Sequence, residues 1–248
     1  MITHLHSDHI ADLGDLNLVT WVTRDRKQQL EVFGPEGIND VVSGFNLAFS
    51  RDSNFRYLHH GNQIADPITA GMTAREISDG SIIFEDENLK ISAFKVFHEP
   101  VEPALGFRFE YKDRVLVISG DTRYDPVLIK SFKDADILFC EVISPDIVER
   151  FIKVADEQND NKFKKILVDI LDYHITPLEA VDLANNAKVK HLIFYHITPA
   201  LPTEIRFLSD KFFFDGVDEA IENWTASTDG TMVVLPSNSK EILISEIN

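Results

Sequence analysis

A run of metal-ligand side chains, His4-Leu5-His6-Ser7-Asp8-His9, stands at the start of the sequence and constrains its fold more than anything that follows. Imidazole nitrogen and carboxylate oxygen are the ligand types that suit zinc, iron or manganese. Alternating spacing lets His4 and His6 point the same way from a strand-end loop, while Asp8 and His9 face a second position. Such a cluster could also be a surface patch or the end of an affinity tag. A tag, however, lacks the ordered Asp8, and Ile10 to Leu18 continues as amphipathic sequence. One such loop cannot complete two metal sites, so the fold must bring ligands from distant segments to one rim.

Three later residues are suitable, and each follows a strand-like run. His98 closes the alternating stretch Leu89 to His98, which pairs with the alternation of Leu105, Phe107, Phe109 and Tyr111 as a half-buried antiparallel pair. Asp121 follows the apolar run Val115 to Ile118 in Ser119-Gly120-Asp121-Thr122, and His196 follows Leu192 to Tyr195. Another buried strand, Ile137 to Cys140, precedes Glu141. Earlier, Leu30 to Phe33 reads as a strand stopped by Gly34 and Pro35, with a helix from Ile38 to Phe49. Thr176-Pro177-Leu178-Glu179 carries a capping box, and Leu178, Val181, Ala184 and Ala187 give that helix an apolar stripe. Asp156 to Lys165 reads as an exposed insertion or linker. Strands alternating with helices indicate an α/β layered architecture.

Composition narrows the function. At 248 residues and 44% hydrophobic the chain can bury a sizeable core, which excludes general disorder. Asp plus Glu number 41 against 24 Lys plus Arg, and the resulting charge of −17 repels phosphate backbones unless a local basic patch, such as Lys162, Lys164 and Lys165, overrides it. Cys140 is the single cysteine, so no intrachain disulfide forms, and it reads as a buried inert thiol. There is no membrane-length apolar run and no signal-peptide layout. The expectation is a soluble, cytoplasmic chain as given, with export the alternative if a leader once preceded it. His59 and His60 read as surface residues of a polar loop, His191 as exposed, and Phe212-Phe213-Phe214 as core or an oligomer face.

Taken together, His4-Leu5-His6-Ser7-Asp8-His9, His98, Ser119-Gly120-Asp121-Thr122, Cys140-Glu141, His174-Ile175-Thr176 and Tyr195-His196 resemble the metallo-β-lactamase superfamily. The similar branch contains ribonuclease Z, cyclic-nucleotide phosphodiesterases and arylsulfatase-like hydrolases. The resemblance implies a four-layer αββα sandwich, read as one domain over 1–248. It implies two divalent metal ions, zinc first, with manganese or iron as alternatives. His4, His6 and His98 would hold one, Asp8, His9 and His196 the other, and Asp121 would bridge them. Water bridging the metals would be the hydroxide nucleophile, oriented by Asp8. His174, steadied by Glu141, would assist the leaving oxygen.

Members of the family ordinarily carry some tens of residues before the first histidine, so the resemblance also implies an N-terminally incomplete sandwich with an uncovered apolar face. Reduced stability and a homodimer are the matching expectations. The reaction implied is hydrolysis of phosphodiester or sulfate-ester bonds in a small molecule. Gly34-Pro35-Glu36-Gly37, Asp52 to Arg56 and Ile170 to His174 look more like the arylsulfatase-like group. A tRNA 3′-processing endonuclease of the ribonuclease Z type is the alternative, handicapped by the charge. A non-catalytic binding protein is a third reading.

Overall fold

The computed structural model describes residues 1–200 and 211–247. It divides into two compact units, Met1–Ser81 and Ile82–Asn248.

The first unit holds α1 (Ser7–Ile10), α2 (Leu13–Thr23), β1 (Leu30–Gly34), α3 (Ile38–His60), α4 (Asn62–Ala65) and β2 (Met72–Glu76). β1 and β2 pair in parallel, Leu30 opposite Met72 through Gly34 opposite Glu76, a connection that needs the crossover helix α3 between them. Leu13, Val32, Ile38, Val42 and Met72 form its core. Ile38 packs against Gly34 so closely that a side chain there would meet its Cγ1 at 2.9 Å. The expected helix from Ile38 to Phe49 runs on to His60. Its polar stretch is helix-compatible, with Asp52 and Arg56 pairing at 2.7 Å one turn apart, and Gly61 at φ 65° ends it. His59 and His60 are exposed as expected, but they sit in the last turn of α3 and not in a loop.

The second unit is built on a seven-stranded sheet of β3 (Ile82–Glu85), β4 (Leu89–Val96), β5 (Ala104–Tyr111), β6 (Arg114–Ile118), β7 (Ile137–Ile143), β8 (His191–Thr198) and β9 (Trp224–Ala226), in that spatial order. The first four strands form an antiparallel meander and the last four run parallel. Helices α5 (Leu128–Phe132), α6 (Pro145–Glu157), α7 (Asn161–Asp169), α8 (Pro177–Asn186) and α9 (Val217–Ala220) lie between or after the later strands. The strands β10 (Thr231–Val234) and β11 (Leu243–Glu246) make a separate hairpin. Val117, Leu138, Cys140, Val142, Leu192 and Phe194, alternate residues of the three central strands, share one core with Leu128, Phe132, Val181, Leu183 and Ala184.

Four local expectations change. β7 continues three residues past Cys140, so Glu141 lies inside the strand and is fully buried. Asp156 to Lys165 is no linker, because it spans the end of α6 and the start of α7, whose buried sides meet through Val148, Ala155 and Leu167. Leu178 is half exposed, and Ala180 and Leu183 complete the α8 stripe in its place. His191 is partly buried and contacts Thr225 at 2.9 Å. Of the aromatic run, Phe213 and Phe214 are core, whereas Phe212 is exposed.

Candidate metal centre

In the first unit the donors sit on the loop leading into α1. Ile2 donates its amide to the Phe33 carbonyl at 2.8 Å, and Ile2 and Leu5 pack on the core. His4 is fully buried, with Nε2 3.1 Å from His6 Nδ1 and its ring centroid 4.0 Å from that of His9. His4 Nδ1 meets the Thr3 hydroxyl at 3.2 Å. A partner on one ring nitrogen fixes the orientation of the other, which is the usual arrangement of a ligating imidazole. Asp8 lies beside His9, 3.4 Å from its Nε2, and is mostly exposed.

In the second unit the groups come from five separate segments. His98 lies just beyond β4, is 1% exposed, and donates Nδ1–H to the Tyr173 carbonyl at 2.9 Å. A carbonyl can only accept, so the lone pair of His98 is on Nε2. Asp121, 2% exposed, sits in the turn after β6, where Gly120 takes φ 67°. That turn is pinned by its own amides: Ser119 N–H to the Phe139 carbonyl at 2.9 Å, Gly120 N–H to Tyr195 Oη at 3.1 Å, and Thr122 N–H to Glu141 Oε1 at 2.9 Å.

Glu141 Oε1 also accepts from His174 Nδ1 at 2.9 Å, which leaves His174 Nε2 facing away from the carboxylate. Burial, and then the charge of Asp121, push the Glu141 carboxyl well above the usual carboxylate range, while the Thr122 amide and the His196 ring act in the opposite sense. His98, Asp121 and His174 each offer a ligand atom within 4.8 Å of the others, and so do Glu141, His174 and His196.

His196 owes its position to a β-bulge. Glu141 pairs with Tyr195 and Val142 with Ile197, so His196 is the extra residue between them, at φ 44°. A bulge re-aims one side chain that would otherwise alternate with its neighbours, and His196 Nδ1 lies 3.7 Å from Asp121 Oδ1.

The sequence-predicted residues thus fall into two sets, His4, His6, Asp8 and His9 in one unit and His98, Asp121, Glu141, His174 and His196 in the other. The sequence places Thr122 and Tyr195 beside the candidate ligands but gives them, Thr3 and the Tyr173 carbonyl no role of their own; the partner of the Tyr195 hydroxyl is 75 residues away. Cys140 is buried as expected, and burial pushes its thiol up, which keeps it from acting as a nucleophile.

A sequence profile described as a beta-lactamase superfamily domain matches residues 1–197. Ribonuclease Z of Mycobacterium marinum is 34% identical over 203 residues, covering 81% of this chain and 67% of that protein. A putative ribonuclease Z of Mycobacterium tuberculosis is 33% identical, over 81% of this chain and 84% of its own length. This chain thus spans about two thirds of the length of most of the curated relatives it matches. In fold, the protein is similar to the metallo-beta-lactamase fold protein YhfI of Bacillus subtilis (TM-score 0.53, 17% identity, covering 91% of this chain and 72% of that one). It is also similar to the short form of human tRNase Z (TM-score 0.54, 24% identity, covering 79% and 71%).

Proposed function

Since the chain belongs to the metallo-β-lactamase superfamily, we propose that it is a dinuclear metal-dependent hydrolase that cleaves phosphodiester bonds. The relatives carry the name ribonuclease Z, which favours the tRNA-processing alternative over the arylsulfatase-like reading and speaks against sulfate esters. The observation that carries the proposal is the His174–Glu141 pair, set in the same cluster as Asp121 and His98.

The residues present fit divalent cations. His98 keeps its Nε2 lone pair because Nδ1 is committed to a carbonyl, and the donors are imidazole nitrogen and carboxylate oxygen throughout. In this reading His4, His6 and His98 would hold one cation and Asp8, His9 and His196 the other, with Asp121 available to both. Two bound cations supply Lewis acidity at phosphorus and lower the pKa of water. The chain's own residues do the rest. Asp8 orients the attacking water, and His174 delivers a proton from Nε2 to the departing oxygen, its ring held by Glu141 Oε1 on the opposite nitrogen.

The test uses zinc-loaded protein against bis(4-nitrophenyl) phosphate, 4-nitrophenyl sulfate and a precursor tRNA bearing a 3′ trailer. Hydrolysis of the phosphodiesters without the sulfate is expected. Turnover of the sulfate alone overturns the choice of bond, and uptake of less than about two zinc ions per chain overturns the dinuclear reading.

The net charge of −17 stands against a nucleic-acid substrate, and on the hairpin of α6 and α7 Lys164 and Lys165 pair with Asp156 and Asp169; precursor tRNA is nonetheless the substrate that the relatives' names support. Among the described residues no helix is long and apolar enough to cross a membrane.

A further inference from the structure

The turn that carries Asp121 and the strand that carries His196 are different segments, and their spacing has to be fixed by something other than the ligands themselves. Two of the three amides that pin the turn are bound by β7: Ser119 N–H by the Phe139 carbonyl and Thr122 N–H by the Glu141 carboxylate. The third, Gly120 N–H, is bound by the Tyr195 hydroxyl of β8 at 3.1 Å. Tyr195 is the last paired residue before the bulge that re-aims His196. Its ring stands edge-on to Phe139, centroids 6.3 Å apart and planes at 90°, so the phenol is braced by the adjacent strand.

We infer that Tyr195 is a positioning residue of the proposed centre: its hydroxyl, by accepting the Gly120 amide, sets the distance between Asp121 and His196. The inference rests on the proposed function, because it assigns both residues as ligands. A donor left without its acceptor inside the protein costs the desolvation of that group, and the turn relieves this cost by moving. Gly120 holds a φ of 67°, and glycine has a wide range of other backbone conformations open to it at little cost. Loss of the hydroxyl therefore lets the Asp121 turn drift from β8 while the turn's two links to β7 persist. Groups that orient ligands without touching the metal typically change affinity by about 10- to 100-fold.

The experiment compares wild type, Tyr195→Phe and Phe139→Leu. Tyr195→Phe keeps the ring and removes the hydroxyl; Phe139→Leu disturbs the packing of the same ring and keeps the hydroxyl. Zinc affinity is read by competition with a chromophoric chelator, and amide hydrogen exchange at Gly120 is read on the zinc-free proteins. The expected result is a roughly 10-fold weaker zinc affinity and faster Gly120 exchange in Tyr195→Phe, with both close to wild type in Phe139→Leu. Zinc affinity unchanged in Tyr195→Phe overturns the inference and leaves the proposed function standing. So does an equal loss in Phe139→Leu, which would mark the effect as packing. Wild-type protein that takes up no zinc overturns the proposed function and this inference with it.

Discussion

The two sets of donors are built in opposite ways. In the first unit four candidate ligands lie within six consecutive residues, held near one another by the chain itself, and the carboxylate among them, Asp8, has a side chain 65% exposed. In the second unit the groups come from His98 to His196, and the carboxylates Asp121 and Glu141 have almost no exposure. A local cluster costs little chain entropy to close, and here it is anchored through Ile2 and Leu5. A cluster gathered from strand ends is expensive to assemble, yet buried hydrogen bonds then hold His98, His174 and the turn that carries Asp121. The candidate donors of the second unit are thus held by buried hydrogen bonds from distant segments, whereas those of the first sit on one short, partly exposed loop.

The largest expected effects test that contrast. Asp121→Ala removes the one carboxylate the reading gives to both cations, and a ligand loss exceeds the roughly 10- to 100-fold typical of an orienting neighbour. Zinc content below one per chain and turnover at background are expected. Asp8→Ala removes an exposed ligand of a single cation and should leave about one zinc bound. Plasma mass spectrometry of the dialysed variants decides, and equal loss in both would erase the distinction between the units.

Next in size is His174→Ala, which touches proton delivery alone. Zinc content should stay at the wild-type value and kcat should fall roughly 100-fold or more. The donor must be protonated to act, so the wild-type rate declines as pH rises through its titration, and that decline should vanish in the variant. Loss of zinc together with rate would move His174 from proton donor to ligand.

How much of this was legible in the sequence follows the same division. The loop His4 to His9 is contiguous, so type and spacing alone announce it. The strand ends that deliver His98, Asp121 and His196 are visible because apolar runs stop at polar residues. Their convergence is a matter of sheet order, which no single segment contains. The bulge at His196 was invisible, since a bulge is a mismatch between two strands and β8 alone carries no sign of it. Glu141 reads as following its strand, because a buried carboxylate breaks the apolar run that marks a strand interior. The length of α3 was underestimated for a related reason. Past Phe49 the apolar periodicity lapses, and helical pairing such as that of Asp52 with Arg56 counts only once the helix exists.

A smaller effect, on stability, sharpens the comparison through two glycines. A methyl at Gly106 in β5 would stand 2.3 Å from Phe94 Cζ and 2.7 Å from the Ser119 carbonyl, whereas one at Gly44 in α3 meets nothing within 4 Å. Gly106→Ala should therefore cost about 1–3 kcal/mol by overpacking, and because Ser119 opens the Asp121 turn it should weaken zinc binding as well. Gly44→Ala should raise stability by about 0.4–1 kcal/mol, by removing unfolded-state freedom from a helical site. Urea denaturation of zinc-free protein measures both. Destabilisation by Gly44→Ala would show that the helix surface of the first unit is covered and not open.

The smallest effect concerns substrate choice. Lys164 and Lys165 look like a basic patch in sequence, but each is held by an acid of its own hairpin, Asp156 and Asp169. A paired lysine contributes little to counterion release on a nucleic acid, since its phosphate contact must first displace the carboxylate. The double variant Lys164→Ala, Lys165→Ala should therefore change the KM for precursor tRNA less than about two-fold and leave its salt dependence nearly parallel to wild type, whereas a full phosphate contact changes the slope of log affinity against log salt by about 0.9. A slope reduced by one contact or more would make the α6–α7 hairpin a nucleic-acid grip.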